Sequence, residues 1–542
     1  MLMLPRSLRE LGQSFNLENN KGIFPYLFDD INYEGELPNY ESFTSISKNE
    51  YLNLKVQYSN KIWSFKDEAI KYCKLDCLVL HEILTKFKEL IFNEFKVDPI
   101  SALTLPALAL KTYKTLYLPN YHSLKQYSVY QLNGLPEHNI RKSYTGGAVD
   151  VYIPQNKDNE LLYLYDVNSL YPTVMANNPM PIGQPVAFIG NIRKVDADAF
   201  GFFYCKITSP EYLEHPILQR NIKTGNGITT IAGLGSWEAW IFSAEMDNAI
   251  KFGYTFEILK GYQFKKGFIF KEYISNMYNL RLQYPKSDPM NLIAKLLMNS
   301  LYGKFGMKSE TTKVEIVSNK DLTKYLDKFN TSIADIIYLE DHVVLIINTN
   351  EFKPCSDSPF TEMDLIHKMD TNVAIASAIS AYARIHMSQF KNNPNLKLYY
   401  SDTDSAVFNA PLPEEYLGSN LGLMKLEHVI SKAVFLAPKV YALITEEGEQ
   451  IIKAKGLTKD AIKDINISDY ELLLNKNSSR VFKQSKSYKS LYQGNISVLD
   501  TLYTLKATSN KRQNIYVNGI FDNTKPLNYN ERIYFINNFL GG

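Results

Sequence analysis

Apolar and polar positions along this chain mark a small number of elements. Leu161 to Tyr165 is a short apolar run of the kind that forms a buried strand; Asp166 follows it, and Pro172 sits where a helix can begin. Leu398-Tyr399-Tyr400-Ser401 and Ala406-Val407-Phe408 flank Asp402-Thr403-Asp404, which predicts a β-hairpin with acids at its tip. Residues 61–90 read as a helix, with Ile70, Cys73, Cys77, Leu80 and Ile83 as an apolar stripe near the 3.6-residue period. A second helix is predicted over 289–303, with Asp288 as N-cap, Pro289 at the first helical position, and Gly303 and Gly306 closing it. A third, about 371–389, is rich in small residues (Ala374, Ala376, Ala378, Ala381) and suits close packing beneath a sheet. Turn residues around Tyr144-Thr145-Gly146-Gly147 break the chain before a strand-rich section. The stretch 307–365 mixes charge, asparagine and short apolar runs and looks like an insertion. There is no internal repeat and no low-complexity linker.

At 542 residues the chain exceeds one ordinary core, so several domains are expected. An apolar fraction of 45% and a charged fraction of 21% are those of a globular protein. No segment stays apolar for the roughly 18 residues a membrane span needs. The opening MLMLPRSLRE has neither an apolar h-region nor the Arg/Ser-rich, acid-poor character of a transit peptide. Net charge is only +2, so any surface for nucleic acid must be a local patch. Cys73, Cys77, Cys205 and Cys355 form no CxxC pair. Cys73 and Cys77, one helical turn apart, read as reduced, partly buried thiols rather than a metal site or disulfide. The 38 tyrosines, with many asparagines and lysines, point to AT-rich coding DNA, which concerns the genome and not the chemistry.

The two acid motifs matter together. Nucleotidyl transfer needs two divalent cations about 3.5–4 Å apart, one activating a primer hydroxyl and one holding the triphosphate and the leaving oxygen. Hard cations take carboxylate and carbonyl oxygens, with water and phosphate completing the shell. The expected signature is therefore two acids from distant sequence, each at a strand end on one sheet, as Asp166 and Asp402/Asp404 are. Singly, each motif is weak: a lone Asp at a strand end is ordinarily a turn or cap residue, and a DTD hairpin is equally a turn satisfied by its own backbone. A third element adds weight. On the 289–303 helix, Lys295, Asn299 and Tyr302 fall at i, i+4 and i+7 and share a face. A face with a single Lys is usually just solvated, but a Lys point charge suits a triphosphate.

These residues carry a resemblance. Asp166-Val167-Asn168-Ser169-Leu170-Tyr171-Pro172 resembles motif A of family B DNA polymerases (DxxSLYP), Lys295 to Gly303 (KLLMNSLYG) resembles motif B, and Tyr400 to Ser405 (YSDTDS) resembles motif C, in the family's order and spacing. Tyr144-x-Gly146-Gly147 resembles the YxGG motif and Lys439-Val440-Tyr441 the KxY motif of the protein-primed branch, found in linear plasmids, adenoviruses and certain phages. The runs Thr508-Ser509-Asn510-Lys511-Arg512 and Thr524-Lys525-Pro526 look like those of fungal mitochondrial plasmid polymerases, a softer signal.

The resemblance implies an α+β right-hand polymerase. A partial RNase H-like exonuclease domain (1–140) precedes a palm with an antiparallel sheet (141–214 and 366–445), insertions at 215–270 and 307–365, helical fingers (271–306) and a thumb (446–542). It implies that Asp166, Asp404 and the Val167 carbonyl hold two Mg²⁺ ions, with Mn²⁺ as an alternative, and that Asp402 is secondary. Lys295 and Asn299, with Arg281 as helper, meet the incoming dNTP. Tyr171 lies under the sugar and excludes a 2′-hydroxyl, and Tyr302 backs the base pair; core packing is the alternative for both tyrosines. Tyr144, Gly146 and Gly147 touch template backbone, and Lys439 and Tyr441 hold the primer end. The implied partners are template–primer DNA, dNTPs and a terminal priming protein, with no membrane, and the implied location is the mitochondrion.

The exonuclease pattern is incomplete. Of its acidic motifs only Tyr72-x-x-x-Asp76 is visible; Ser7-Leu8 and Lys21 resemble auxiliary motifs that bind a single-stranded primer end. One carboxylate cannot hold two cations, so no 3′–5′ exonuclease is expected, and the chain reads as a truncated frame or fragment. The competing readings are an inactive DNA-binding remnant, an RNA-making or reverse-transcribing enzyme, and a scaffold. Tyr171 and the YSDTDS run speak against the second, and a scaffold leaves the acids and Lys295 unexplained.

Overall fold

The computed structural model describes the chain except residues 1–2, 18–21, 29, 44–45, 119–128, 130–131, 133, 225–226, 308–310, 330–332, 340, 350–370, 464, 491–494 and 530–542. Lys21, Cys355 and the end of the expected second insertion lie outside the described residues. Two compact units emerge: residues 1–120 with 272–301, and residues 121–271 with 302–542.

The first unit is built on helix Phe65–Phe95, N-capped by the Ser64 side chain on Asp67 N–H. Its buried row is Val79, Ile83, Phe87, Ile91 and Phe95, a strict four-residue spacing. This corrects the stripe read from sequence. Of Ile70, Cys73, Cys77, Leu80 and Ile83 only Ile83 is buried, and both thiols are exposed rather than partly buried. The period alone did not show which of two apolar rows meets a neighbour. The neighbour is Leu8–Ser14, whose Gly12 approaches Val79, while Lys86 Nζ donates to the Phe15 and Asn16 carbonyls. Helices Leu105–Leu116 and Lys271–Gln283 meet through Tyr113 and Tyr273, whose rings pack edge to face at 5.7 Å. Tyr273 donates to the Leu297 carbonyl at 3.0 Å, which fixes helix Pro289–Phe305. That helix is capped as expected, Asp288 Oδ1 accepting from Met290 N–H at 2.7 Å, but it runs through Gly303 and stops only before Gly306.

The second unit contains a seven-stranded antiparallel sheet: β1 (Val149–Val151), β2 (Leu162–Val167), β3 (Leu398–Asp402), β4 (Ser405–Phe408), β5 (Met424–Ala437), β6 (Val440–Thr445) and β7 (Gln450–Ala454). The spatial order is β7-β6-β5-β2-β4-β3-β1, with β1 and β7 as edges. Helix Val373–Lys391, capped by Asn372, is buried along nearly its whole length, as its small residues require.

A four-stranded sheet, in the order Met180–Ile189, Thr255–Gly267, Gly201–Thr208, Ser236–Phe242, draws strands from both sides of residue 214. It is bulged twice along Thr255–Gly267. Strands Thr311–Ser318, Ile333–Tyr338 and His342–Thr349 form a small sheet around Val317, Val343, Leu345 and Ile347. After β7, helix Ile467–Leu472 and two hairpins follow: Arg480–Ser490 with Asn495–Leu505, and Arg512–Val517 with Ile520–Pro526.

Candidate active site

The carboxylates predicted from sequence meet at one end of the seven-stranded sheet. Strand β2 pairs with β4 so that Asp166 stands opposite Ser405, and Val167 N–H donates to the Asp404 carbonyl at 2.8 Å. Asp166 lies inside its strand, Leu162–Val167, rather than after it, and the chain turns at Ser169 into helix Leu170–Asn177. Across the hairpin tip, Asp404 N–H reaches the Asp402 carbonyl at 2.6 Å. Burial, with Asp402's charge as a lesser cause, raises the Asp404 carboxyl above the usual carboxylate range.

Backbone strain gathers here. Among the described residues, the non-glycine positions with φ > 0 are four asparagines, for which the left-handed region costs little, and Lys96, Ser169, Thr403 and Lys439. Three of those last four belong to this site, and Thr403 is β-branched, for which φ of 57° is strained. Thr403 is held by its N–H on the Ala148 carbonyl at 2.9 Å. A Cβ at Gly147 would stand 2.5 Å from the Thr403 side chain, so Gly147 is required for the loop to lie against the acidic tip. Gly306 is needed in the same way: a Cβ there would meet the Tyr144 hydroxyl at 2.5 Å.

Asp402 has a different partner. Both of its oxygens accept from Lys439 Nζ, at 2.7 and 2.6 Å, and the Tyr400 hydroxyl accepts from Lys439 N–H at 2.9 Å. Tyr441 packs on Tyr400 and Phe435, at ring distances of 5.3 and 5.9 Å. The structure thus joins Lys439 and Tyr441 to the acidic hairpin and leaves Asp402 neutralised by an ammonium. Tyr171 and Tyr302 stack at 4.1 Å with 11° between their planes. Burial pushes both hydroxyls' pKa values up, and Asp404's charge adds to the rise.

Two residues of the site were not singled out from sequence. Arg384, buried on helix Val373–Lys391, donates to the Thr145 carbonyl at 2.7 Å and the Gly146 carbonyl at 3.1 Å. It is fixed by a bidentate pair with buried Glu245, at 2.6 and 2.8 Å. The signal was a guanidinium within an alanine-rich helix read as closely packed, where a charge must be paired. Asn168 Nδ2 also donates to the Gly418 and Leu423 carbonyls, at 2.7 and 3.0 Å, holding the loop before β5 against β2.

The remaining predicted residues lie in the other unit. Lys295 and Asn299 are one turn apart on helix Pro289–Phe305, with Asn299 Nδ2 donating to the Lys295 carbonyl at 2.8 Å. Arg281 is in the last turn of Lys271–Gln283, where its carbonyl accepts from Asn291 at 2.8 Å. Ser7 is the N-cap of Leu8–Ser14, in a capping box with Glu10, and Leu8 is buried. Tyr72 is hydrogen-bonded to Tyr26 and Asp76 and packs on Phe24 at 5.3 Å.

Whether these groups suit a divalent cation is a question of donors. Among the described residues, no group of three or more His, Cys, Asp and Glu side chains converges as a metal cage. Asp166 on β2 and Asp404 in the turn just before β4 supply hard oxygens, and a carboxyl kept from water with a like charge beside it favours a cation. The donor set fits a metal whose other ligands come from substrate and water. Also among the described residues, no helix is long and apolar enough to cross a membrane.

The chain is 34% identical over 97% of its length to a probable DNA polymerase of Ascobolus immersus and 33% identical over 92% to one of Neurospora intermedia. It spans about half the length of these relatives, 43% and 52%. In fold it is similar to phi29 DNA polymerase solved with primer–template DNA and incoming nucleotide, at a TM-score of 0.61, 18% identity, and coverage of 93% of this chain and 79% of that one. The family model for type B DNA polymerases of organelles and viruses matches residues 1–395, and the chain belongs to that family.

Proposed function

We propose that this chain is a DNA-directed DNA polymerase that adds dNTPs to a primer end by two-metal nucleotidyl transfer. The observation that carries the reading is that Asp166 on β2 lies across from the hairpin tip that bears Asp404, Val167 N–H donating to the Asp404 carbonyl, with Tyr171 and Tyr302 stacked beside them. Asp166, Asp404 and the Val167 carbonyl are the residues to hold Mg²⁺, which when bound activates the primer hydroxyl and neutralises the triphosphate. Lys439 neutralises Asp402, which acts through the hairpin's shape rather than as a ligand. Arg384 holds the Thr145–Gly147 loop where template backbone can pass. Lys295, Asn299 and Arg281 are assigned to the triphosphate by their match to the family's motif. In this reading strands β1 to β6 of the seven-stranded sheet belong to the palm, 271–306 is the fingers and the segment from 446, which adds β7 to that sheet, is the thumb. The test is extension of a primed template in Mg²⁺ by the complement of the template base. A folded chain that binds the template–primer and leaves it unextended would contradict the reading.

Tyr171 is the sugar-discriminating wall. Tyr171→Val should reduce the preference for dNTP over rNTP, read as the ratio of kcat/KM values, by about 10²-fold, since rejection here is steric. Equal losses for both sugars would instead mark Tyr171 as packing for Tyr302.

A priming protein and mitochondrial replication of a linear element are proposed on the family's organellar and viral range and the fungal relatives. The Tyr72–Asp76 pair is proposed to support no exonuclease. A labelled primer incubated with Mg²⁺ and no dNTP should keep its length for as long as extension takes to finish. Shortening that Asp76→Ala abolishes would refute this.

A further inference from the structure

The runs Thr508–Arg512 and Thr524–Pro526 have no part in the polymerase reading. The fold brings them together, since Arg512 stands opposite Pro526 and Gln513 opposite Lys525 in the last hairpin. That hairpin forms one wall of a cleft of about 790 Å³, within the roughly 300–1,000 Å³ of small-ligand sites. The other walls are residues 212–215 and the loop 391–398, which leads from helix Val373–Lys391 into β3. The cleft lies away from the catalytic tip: Leu398 and Asp402 are the two ends of β3, four residue rises or about 13 Å apart.

Charge in this cleft is unbalanced. Lys391 and Arg512 both line it, and each is only 6% exposed. Arg512 donates from Nε to the Thr524 hydroxyl at 2.8 Å and from Nη2 to the Glu214 carbonyl at 3.1 Å, and it lies over the Tyr152 ring at 4.8 Å. None of these partners is a carboxylate, and among the described residues nothing accepts from Nη1. Lys391 is fastened through its backbone, its carbonyl accepting from His215 Nδ1 at 2.6 Å. Among the described residues no oxygen accepts from Lys391 Nζ. Asp150 on β1 is also buried and acts on Arg512 by its charge, yet it makes no ion pair with either cation among the described residues. Half-buried Lys511, whose Nζ donates to the Val149 carbonyl at 3.1 Å, adds a further positive charge beside Lys391. Burial, then the charge of Arg512, holds the His215 pKa down at about 4, so the imidazole is neutral at neutral pH. Buried cations are costly unless compensated, and two that open onto one cleft call for an anion there. A guanidinium with an unused N–H beside an ammonium joins a directed donor to a point charge, which is how phosphate oxygens are taken. Exposed Lys397 and Lys525 stand at the rim, with Asn395 and Asn523 offering neutral amides.

We propose that this cleft is a phosphate-binding site, separate from the catalytic carboxylates, in which Lys391 and Arg512 take the oxygens of one phosphate group. The group belongs either to a free oligophosphate or to the backbone of a nucleic-acid strand, which present the same oxygens to the two cations. The proposal does not depend on the polymerase reading. Its test is calorimetric titration of the full chain with inorganic pyrophosphate and, separately, with an oligothymidylate. Both are run in EDTA, so that no metal-bound phosphate forms at the acids, and at constant ionic strength, so that screening is equal. Lys391→Met should weaken binding about tenfold or more, the loss of one charge-assisted contact. Without ligand it should melt no lower than wild type, because it removes an uncompensated charge. Lys391→Arg, which keeps the charge, should retain binding. If Lys391→Met fails to fold, the exposed pair Lys397→Gln, Lys525→Gln should still weaken binding several-fold. Pyrophosphate binding that depends on these residues assigns the site to a free oligophosphate, and dependence seen with the oligothymidylate alone assigns it to a strand. No binding of either probe, or affinities that none of the folded variants changes, would overturn the site. A chain that binds pyrophosphate through Lys391 yet extends no primer would sink the polymerase reading and leave this site standing.

Discussion

Asp404→Ala is expected to lower nucleotide addition by on the order of 10³-fold or more, as removal of a group that acts only on the transition state does, while duplex binding stays within a few-fold. The carboxylate is kept from water beside Asp402, and its pKa stands above that of an unfolded chain. The sign follows: between the unfolded and the raised folded value, stability falls as pH rises, and at neutral pH the ionised group opposes folding. Alanine removes that cost. The variant should therefore melt no lower than wild type, and unchanged or higher Tm with lost extension separates a catalytic carboxylate from a structural one. A lower Tm together with partial activity would mean that Asp404 serves the hairpin and not the chemistry.

Glu245→Ala is expected to have the largest effect on stability. The Arg384 guanidinium is buried, and among the described residues its carboxylate contact is the bidentate one to Glu245. Removing Glu245 leaves an uncompensated buried cation, a loss of about 3–5 kcal/mol, visible as a lower urea midpoint at constant m. The double variant Glu245→Leu, Arg384→Met should recover much of that stability, because apolar residues of similar volume often replace a buried pair at little cost. It should not recover extension, since the Thr145 and Gly146 carbonyls lose their donor and the loop against Thr403 is released. Recovery of both properties would show that the pair has only a packing role.

Much of the site was legible from residues alone because its signals are local. The apolar run before Asp166, the acids between two β-prone runs, and the Asp288–Pro289 start each depend on neighbours a few positions away. What was not legible is tertiary. Helix Phe65–Phe95 presents two apolar rows, and only the partner Leu8–Ser14 selects the one that includes Val79. Arg384 and Glu245 are on separate helices, and no spacing rule links them. The run from Thr508 to Arg512 stood out in sequence, but its anchoring to β1 is a contact across more than three hundred residues. The strand Met180–Ile189 joins a sheet whose other members come later in the chain, so a boundary placed by resemblance at residue 214 did not reveal it.

If Asp166 and Asp404 act as one unit in holding the metal ions, single-turnover addition in Mg²⁺ reveals it. Wild type, Asp166→Asn, Asp404→Asn and the double variant would be compared, each saturated with template–primer and dNTP. Either single change is expected to abolish nearly all of the rate, with the double variant no worse, the non-additivity of groups that work together. Single variants that retain substantial rates, with losses that multiply in the double variant, would contradict it.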